Sequence, residues 1–522
     1  MPPELSDGSP ADESSISKWG VTATITCGMI VVGPPFYAMY VALPKIMVSF
    51  SADVEHAQWV ISAFAIAEAM MMPTVGWLGS VIGSRRLYMS ALSAYMLFTL
   101  LAALSWSIES LIAFRILQGL AEGPLQPLCV ALFYRSFPPQ QRGLAVGIYI
   151  LAWALCGILA YSGGGYLIEH LSWRLVFLIT LPLGIPSLVL AIRFVPGAGA
   201  GRRRSLDVWG LLSMVGFLVP LLLALNHGPR EGWDTTVTRV CFAIAAPALL
   251  AFVAFELTRK EPFVDLRLFR IFSFSMASVV RFLHSTGLHT YAFLVALFVQ
   301  QTLGYTPLQA GLMMLPGAMV MGGAGLLVGR LADTIEPRAI LAVGLTSLAL
   351  VGYTFSFVTP LTTAAWLVLF LIWLRVSTEC IFSPLNVAAL RTLPEASVDM
   401  GSGVLHVIMG IGAAVGTAGT ASLLGRWTHH HSQVAAQEGN PLSLEGRAIV
   451  GGVEEIWRSA GEAETQLSTN VTETLQAYVR DGATVVAFQD LFLLIAVLYL
   501  VTVIPALLVV PPKRGKGGGS KV

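Results

Sequence analysis

The sequence predicts an all-α polytopic membrane protein, and three observations predict it. Of 522 residues, 55% are hydrophobic and only 12% are charged, whereas a soluble globular protein carries about 25% charged residues. Mean hydropathy is +0.74. Fourteen apolar segments are long enough to cross a bilayer, which takes roughly 20 residues per helix, and Lys and Arg recur at alternate exits from them. The net charge of +1 gives no indication of a nucleic-acid partner. Five scattered cysteines, with Cys27, Cys129 and Cys380 inside apolar segments, show no disulfide or zinc spacing.

In order, the segments are 20–44, 57–79, 87–107, 109–132, 143–168, 173–194, 207–227, 237–257, 273–301, 308–331, 338–359, 361–386, 399–426 and 485–511. Arg85 and Arg86 follow the second segment, Arg135 and Arg142 the fourth, and Arg202, Arg203 and Arg204 the sixth. Lys260, Arg267 and Arg270 follow the eighth, Arg338 the tenth, and Lys513, Arg514 and Lys516 the last. The exit after the twelfth is the weak one, with Arg391 nearby. Basic residues accumulate on the cytoplasmic side, so both termini are expected inside. Met1 to Lys18 is polar and acidic, without the pattern of a cleavable signal, and reads as a short disordered cytoplasmic tail.

Arg426 to Thr484 then lies outside. Its amphipathic run EEIWRSAGEAETQLSTNVTETLQAYV predicts one or two interfacial helices. His429, His430 and His431 are consecutive and cannot all point one way, and no carboxylate is close in sequence. A polar loop is therefore expected there rather than a metal site. No nucleophile–base set or Gly-rich phosphate loop is evident, so neither an enzyme nor a cofactor is expected.

The stretch Leu111 to Gln126 organises the rest. Arg115, Gln118, Gly119 and Glu122 fall at helical spacing on one face of an apolar helix. Charge within a span is costly and turns toward a bundle interior or a water-filled cavity. Proton coupling needs a group whose protonation changes with exposure, and burial favours the neutral form of a carboxylate. The candidates are Glu68, Glu122 and Glu379, with His284, His289 and His406, since histidine titrates near neutrality. Arg375, four residues before Glu379, has the spacing of an intrahelical ion pair; with Ser383 and Asn386 they form a polar stripe. Arg281, about two turns into its segment, is expected to reach back to the cytoplasmic surface. The substrate path should be mostly apolar with few polar anchors. Tyr37, Tyr40, Met71, Gln118, Tyr161, Tyr291 and Asn386 are candidates for it, beside adaptable methionines such as Met313 and Met314.

Several motifs, taken together and in order, are specific. They are VALP (Val41 to Pro44), QWVISAF (Gln58 to Phe64), GWLGSVIGSRR (Gly76 to Arg86), RILQG (Arg115 to Gly119) and SGGGYL followed by WRLVFLITLPLG (Ser162 to Gly184). FVQQTLGYTPLQAGLMMLP (Phe298 to Pro316) and GRLADTIEPR (Gly329 to Arg338) continue them in the second half. With these the chain resembles the major facilitator superfamily, in its fourteen-helix drug:proton antiporter branch. ELTRKEPFVDLRLF (Glu256 to Phe269) and WTHHHSQ (Trp427 to Gln433) are similar to the EmrB-type multidrug exporters.

The resemblance implies two six-helix bundles of inverted repeats rocking about a midplane site, with spans seven and eight inserted. The divisions would be a tail at 1–19, bundles at 20–194 and 273–511, the inserted pair and linkers at 195–272, the outer loop at 427–484 and a tail at 512–522. It implies conformational roles for Gly76, Gly83, Arg85, Gly164, Gly165, Asp333 and Arg338, and links Arg115 to proton transfer. Ser80 stands at the position where the second copy has Asp333, so one of two latches between the bundles is expected to be weak. The family's first-helix acid falls at Pro35, its Gly-Pro at Ala160 and Tyr161, and its thirteenth-span Asn and Arg at His406 and Met409.

The function implied is an inner-membrane efflux transporter. It would export amphipathic or aromatic compounds by proton antiport, with a periplasmic adaptor and an outer-membrane channel as partners. The departures favour, as the alternative, a facilitator or a lipid or metabolite exporter of the same fold without strict proton coupling.

Overall fold

The computed structural model describes residues 17–52, 54–195, 207–259, 262–438, 455 and 464–509. Among them fourteen helices are long and apolar enough to cross a membrane. They are α1 (Lys18–Met39), α2 (His56–Ile82), α3 (Ser84–Ala103), α4 (Ile108–Ser136), α5 (Pro139–Ile158), α6 (Leu175–Phe194), α7 (Val208–Glu231), α8 (Thr236–Thr258), α9 (Phe272–Thr302), α10 (Gln309–Thr334), α11 (Pro337–Phe355), α12 (Ala364–Arg391), α13 (Val398–Ala435) and α14 (Glu473–Leu507). Each corresponds in order to one apolar segment of the sequence.

Local chemistry sets the helix boundaries. Ser17 and Asp207 cap α1 and α7 by accepting from Gly20 N and Gly210 N. Reciprocal capping boxes pair Ser107 with Ser110 before α4 and Thr306 with Gln309 before α10. Pro73 tightens α2 into a 3-10 turn over Met72–Thr74. Gly123 and Pro124 interrupt α4 between Glu122 and Leu125. The SGGG stretch beyond α5 winds as a wider π turn over Leu159–Gly164.

Helices α1 to α6 pack together, as do α9 to α14, while α7 and α8 pack on each other and α7 leans on α2 and α13. The two groups meet along two seams. In the first, α5 and α10 touch backbone to backbone: a Cβ on Gly143 would fall 2.2 Å from the Gly329 carbonyl oxygen, and one on Gly147 2.6 Å from that of Gly325. Only glycine permits that approach. The seam ends in a cap from the other bundle, where the Asp333 carboxylate accepts from Gly143 N at 2.7 Å and Leu144 N at 3.0 Å. A carboxylate on the first amides of a helix also faces the positive end of its dipole.

The second seam joins α13 to α2 and α4. A Cβ on Gly403 would lie 2.9 Å from the Met72 carbonyl oxygen, and Ser402 Oγ donates to Pro127 O at 3.0 Å. The Ser80 hydroxyl turns back onto its own helix, to Trp77 O at 2.7 Å. The acid on this seam comes from the facing helix: Asp399 pairs with Arg135 at 3.0 Å, and Arg135 also donates to Glu395 O. Both seams close at the end that carries Arg135, Arg142 and Arg338, while a Cβ on Gly163 or Gly165 would meet nothing within 4 Å. Gly83 takes a positive φ of 82° in the turn before α3, and Arg85 Nε donates to Val195 O at 2.6 Å. Arg338 pairs with its neighbour Glu336 at 2.8 Å.

The outer segment differs from expectation. Apart from Glu455, which is helical, the described parts of Arg426 to Thr484 continue the spans, in helices Val398–Glu438 and Glu464–Leu507. Residues 427–438 hold no glycine or proline to stop the helix, and the lone Gly482 is tolerated at a cost of about 1 kcal/mol. The remainder of that run, 439–454 and 456–463, lies outside the described residues. His431 does find a carboxylate, Asp490 of α14, at 2.8 Å.

If the glycine seam sets the closure, Gly147→Leu should lower the melting temperature of the detergent-solubilised protein through overpacking worth ~1–3 kcal/mol. Gly311→Leu, where a Cβ meets nothing within 4 Å, should stay near the parental value. Equal shifts for the two variants would rule the seam out as a tight contact.

Candidate functional site

Arg115 is the best-satisfied charge in the first bundle. It is 1% exposed. Its Nε donates to Val60 O at 3.0 Å and its Nη1 to Gln118 Oε1 at 2.7 Å, while the guanidinium lies 3.8 Å over the Phe64 ring. Gln118 passes the chain on, donating through Nε2 to Thr99 Oγ1 at 2.7 Å, and Thr99 donates to Tyr95 O. One cation thus ties α2, α3 and α4. Gly119 makes the approach possible, since a Cβ there would fall 2.4 Å from the Phe64 carbonyl oxygen. Both ends of Gln118 are engaged in this network, away from any open path.

Below it lie the two acids. Glu68 is 5% exposed and Glu122 is fully buried. Gln126 bridges them: its Nε2 donates to Glu68 Oε1 at 2.7 Å and to Glu122 Oε1 at 3.2 Å, and Glu122 Oε2 makes no hydrogen bond. Arg115 acts electrostatically on both carboxyls. A narrow cavity lined by Gln126, Tyr149, Trp153 and Met29 adjoins this bridge. Tyr37 stands at its aromatic rim, edge-on to Phe36 at 5.4 Å and Trp153 at 5.9 Å. Met71 is half-buried, and a Cβ on Gly123 would press against its side chain. The side chains of Tyr40 and Tyr161 lie outside the described residues.

In the second bundle the candidates are more dispersed. Tyr291 is packed away, donating to Leu348 O at 2.9 Å and stacked on Tyr499. His406 and His289 each place Nδ1 on the carbonyl four residues back, at 2.8 Å and 2.9 Å. Glu379 is buried with Oε2 unbonded, and the expected ion pair with Arg375 does not form among the described residues. A cation preceding an acid by four residues is the weaker order of that pair on a helix. His284 is 2% exposed, with neither ring nitrogen hydrogen-bonded.

Arg281 is the largest correction. It does not reach the surface but is 1% exposed, with its guanidinium 4.6 Å over the Phe382 ring. Nε and Nη1 have no hydrogen-bond partner. Phe382 in turn stacks on Tyr149 of α5, with centroids 6.4 Å apart and planes within 7°, so the cation and two rings form a column across the bundle interface.

The placement follows an internal repeat. Helix α12 carries the frame of α4: Arg375 for Arg115, Thr378 for Gln118, Phe382 for Glu122, Pro384 for Pro124, Leu385 for Leu125 and Asn386 for Gln126. The second half thus keeps the scaffold and replaces its central acid by an aromatic ring. Asn386, like Gln126, is an amide on this face; it is fully buried, with Oδ1 unbonded.

Residues 25–417 match the Major Facilitator Superfamily. The chain belongs to that superfamily. It is 24% identical over 92% of its length, and 93% of the relative's, to the multidrug export protein EmrB of Escherichia coli strain K12. It is 30% identical over 74% of its length, and 73% of the relative's, to the multidrug resistance protein B homolog of Mycobacterium tuberculosis strain H37Rv. Among solved structures, the human organic anion transporter MFSD10 shares the fold with a TM-score of 0.58 at 14% identity, covering 92% of this chain and 99% of that one. The protein is therefore a multi-pass membrane transporter of the Major Facilitator Superfamily. Residues 25–417 hold both halves of the α4/α12 repeat.

Gln126 and Phe382 are the residues that spacing within one helix did not single out, and Arg281 is the one it placed at the surface. The repeat of the Arg…Pro-Leu-amide frame is the signal in the sequence that finds the first two. Gln118→Leu should leave the Arg115 guanidinium short of an acceptor and lower stability by ~1.5–3 kcal/mol, read by denaturation in mixed micelles. Thr99→Val should cost less, about 1 kcal/mol. Parental stability in Gln118→Leu would mean that the network does not hold the first bundle together.

Proposed function

We propose that this superfamily member exports amphipathic or aromatic compounds across the inner membrane in exchange for protons. The observation that carries the reading is the Glu68–Gln126–Glu122 bridge: two buried carboxyls on one amide donor, within the field of Arg115. Two like charges so placed repel strongly in a low-dielectric interior, and a proton held by the pair relieves that repulsion. Both acids contact a segment boundary that can shift, the Gly123–Pro124 break of α4 and the turn that follows Glu68 in α2. A shift at these boundaries would supply the second arrangement that an antiporter requires. The similarity to proteins named as multidrug exporters supports the direction and the breadth of substrate. Both termini then face the cytoplasm, as the basic exits suggest, and the seams described above form the cytoplasmic closure.

Glu68→Gln and Glu122→Gln keep shape and remove the charge. In proteoliposomes with an imposed proton gradient, at least one should abolish uphill transport while leaving substrate binding near parental. Uphill transport at the parental rate in both single variants and in the double variant would eliminate the pair as the proton carrier. Transport that survives collapse of the gradient in the parental protein would favour a facilitator instead.

The extensions of α13 and α14 supply a docking surface for a periplasmic adaptor, which in turn would lead to an outer-membrane channel. Deleting residues 433–478 should reduce export from whole cells and spare transport in proteoliposomes. Unchanged export across the full envelope would remove the adaptor from this reading.

A further inference from the structure

The second bundle holds a cation that the protein itself does not answer. Arg281 enters none of the ion pairs among the described residues, and two of its nitrogens are unbonded at 1% exposure. An unpaired charge buried in a membrane bundle is costly and marks a path or a binding site. In α4 the corresponding face carries Glu122; in α12 that position is Phe382, whose ring lies under the guanidinium. Attraction between a cation and a ring supplies part of the lost solvation but leaves the N–H donors unfilled. His284, one turn from Arg281, has two unbonded ring nitrogens, and Asn386 has an unbonded Oδ1. Five polar atoms without partners thus accompany a stacked pair of rings, Phe382 and Tyr149.

We propose that Arg281, His284, Phe382 and Tyr149 form a subsite for an aromatic carboxylate. The acid group pairs with the Arg281 guanidinium and fills one of its unbonded N–H donors as a charge-assisted hydrogen bond, and the aromatic body lies along the Phe382–Tyr149 stack. The subsite spans the bundle interface on the side of the closed glycine seam, so the ligand enters when α5 and α10 part. It names the substrate class of the exporter read above and rests on that reading only for the direction of transport; binding stands by itself.

The test uses the purified full chain in nanodiscs, with 2-naphthoate and its uncharged analogue 2-naphthamide as probes, measured by equilibrium dialysis. The parental protein should bind the carboxylate roughly tenfold or more tighter than the amide, the worth of a charge-assisted hydrogen bond. Arg281→Gln should abolish that preference and keep the amide affinity. Phe382→Glu gives Arg281 the acid that α4 carries at Glu122. It should also lose the carboxylate, while its melting temperature, at or above the parental value, shows that the chain is folded. Equal affinities for the two probes in the parental protein, or a preference that persists in both variants, overturn the subsite. Gradient-driven export of 2-naphthamide, measured beside it, separates the two readings: export of the amide without any preference for the carboxylate overturns the subsite and leaves the exporter intact.

Discussion

A guanidinium between apolar helices has no water to solvate it, and the first bundle is arranged around meeting that demand for Arg115. Its acceptors come from α2 and α4, its ring from α2, and the relay through Gln118 reaches α3. Removing a hydrogen-bond partner from such a buried charge costs about 1.5–3 kcal/mol, a large share of the stability of any domain. The same demand at Arg281 is met by a ring alone, plus whatever enters the interface. The two halves of the repeat keep one frame but not one charge pattern: α4 holds Glu122 where α12 places Phe382, the ring that lies under Arg281 of α9.

The seams between the bundles obey a different logic. Their strength lies in backbone contact, so the parts that matter are the residues that are absent: no side chain on Gly143, Gly147, Gly325 or Gly329. Packing of this kind either fits or separates, because close-packed interfaces do not deform continuously. The carboxylate of Asp333 on bare amides and the Arg135–Asp399 pair add charge at the rim of each seam. Ser80 brings no acid to the second seam, and the negative charge there comes from the other bundle as Asp399.

The spans were legible because the length of an apolar run is a one-dimensional property. The Arg115 face was legible because helical spacing is one-dimensional too. What escaped was everything that depends on a second helix. The spacing of Glu122 and Gln126 is visible in sequence, but the link to Glu68 needs the position of α2. Arg281 near the start of its span has the look of a residue that reaches for water, and only the ring of Phe382 from α12 shows it turned inward. His431 lacks a carboxylate along the chain and has one across space, Asp490. The outer run reads as amphipathic whether it lies on a membrane or prolongs a span, since both present the same periodicity.

That prolongation has a mechanical consequence. The helices through α13 and α14 contain 41 and 44 residues, and at about 1.5 Å per residue each is roughly twice as long as the hydrocarbon core is thick, ~30 Å. If the bundles rock as proposed, these helices act as levers, and the His431–Asp490 pair ties the two together. A small tilt of the second bundle at mid-depth would then become a wide sweep at their tips, carrying an event at the buried site beyond the membrane surface as displacement.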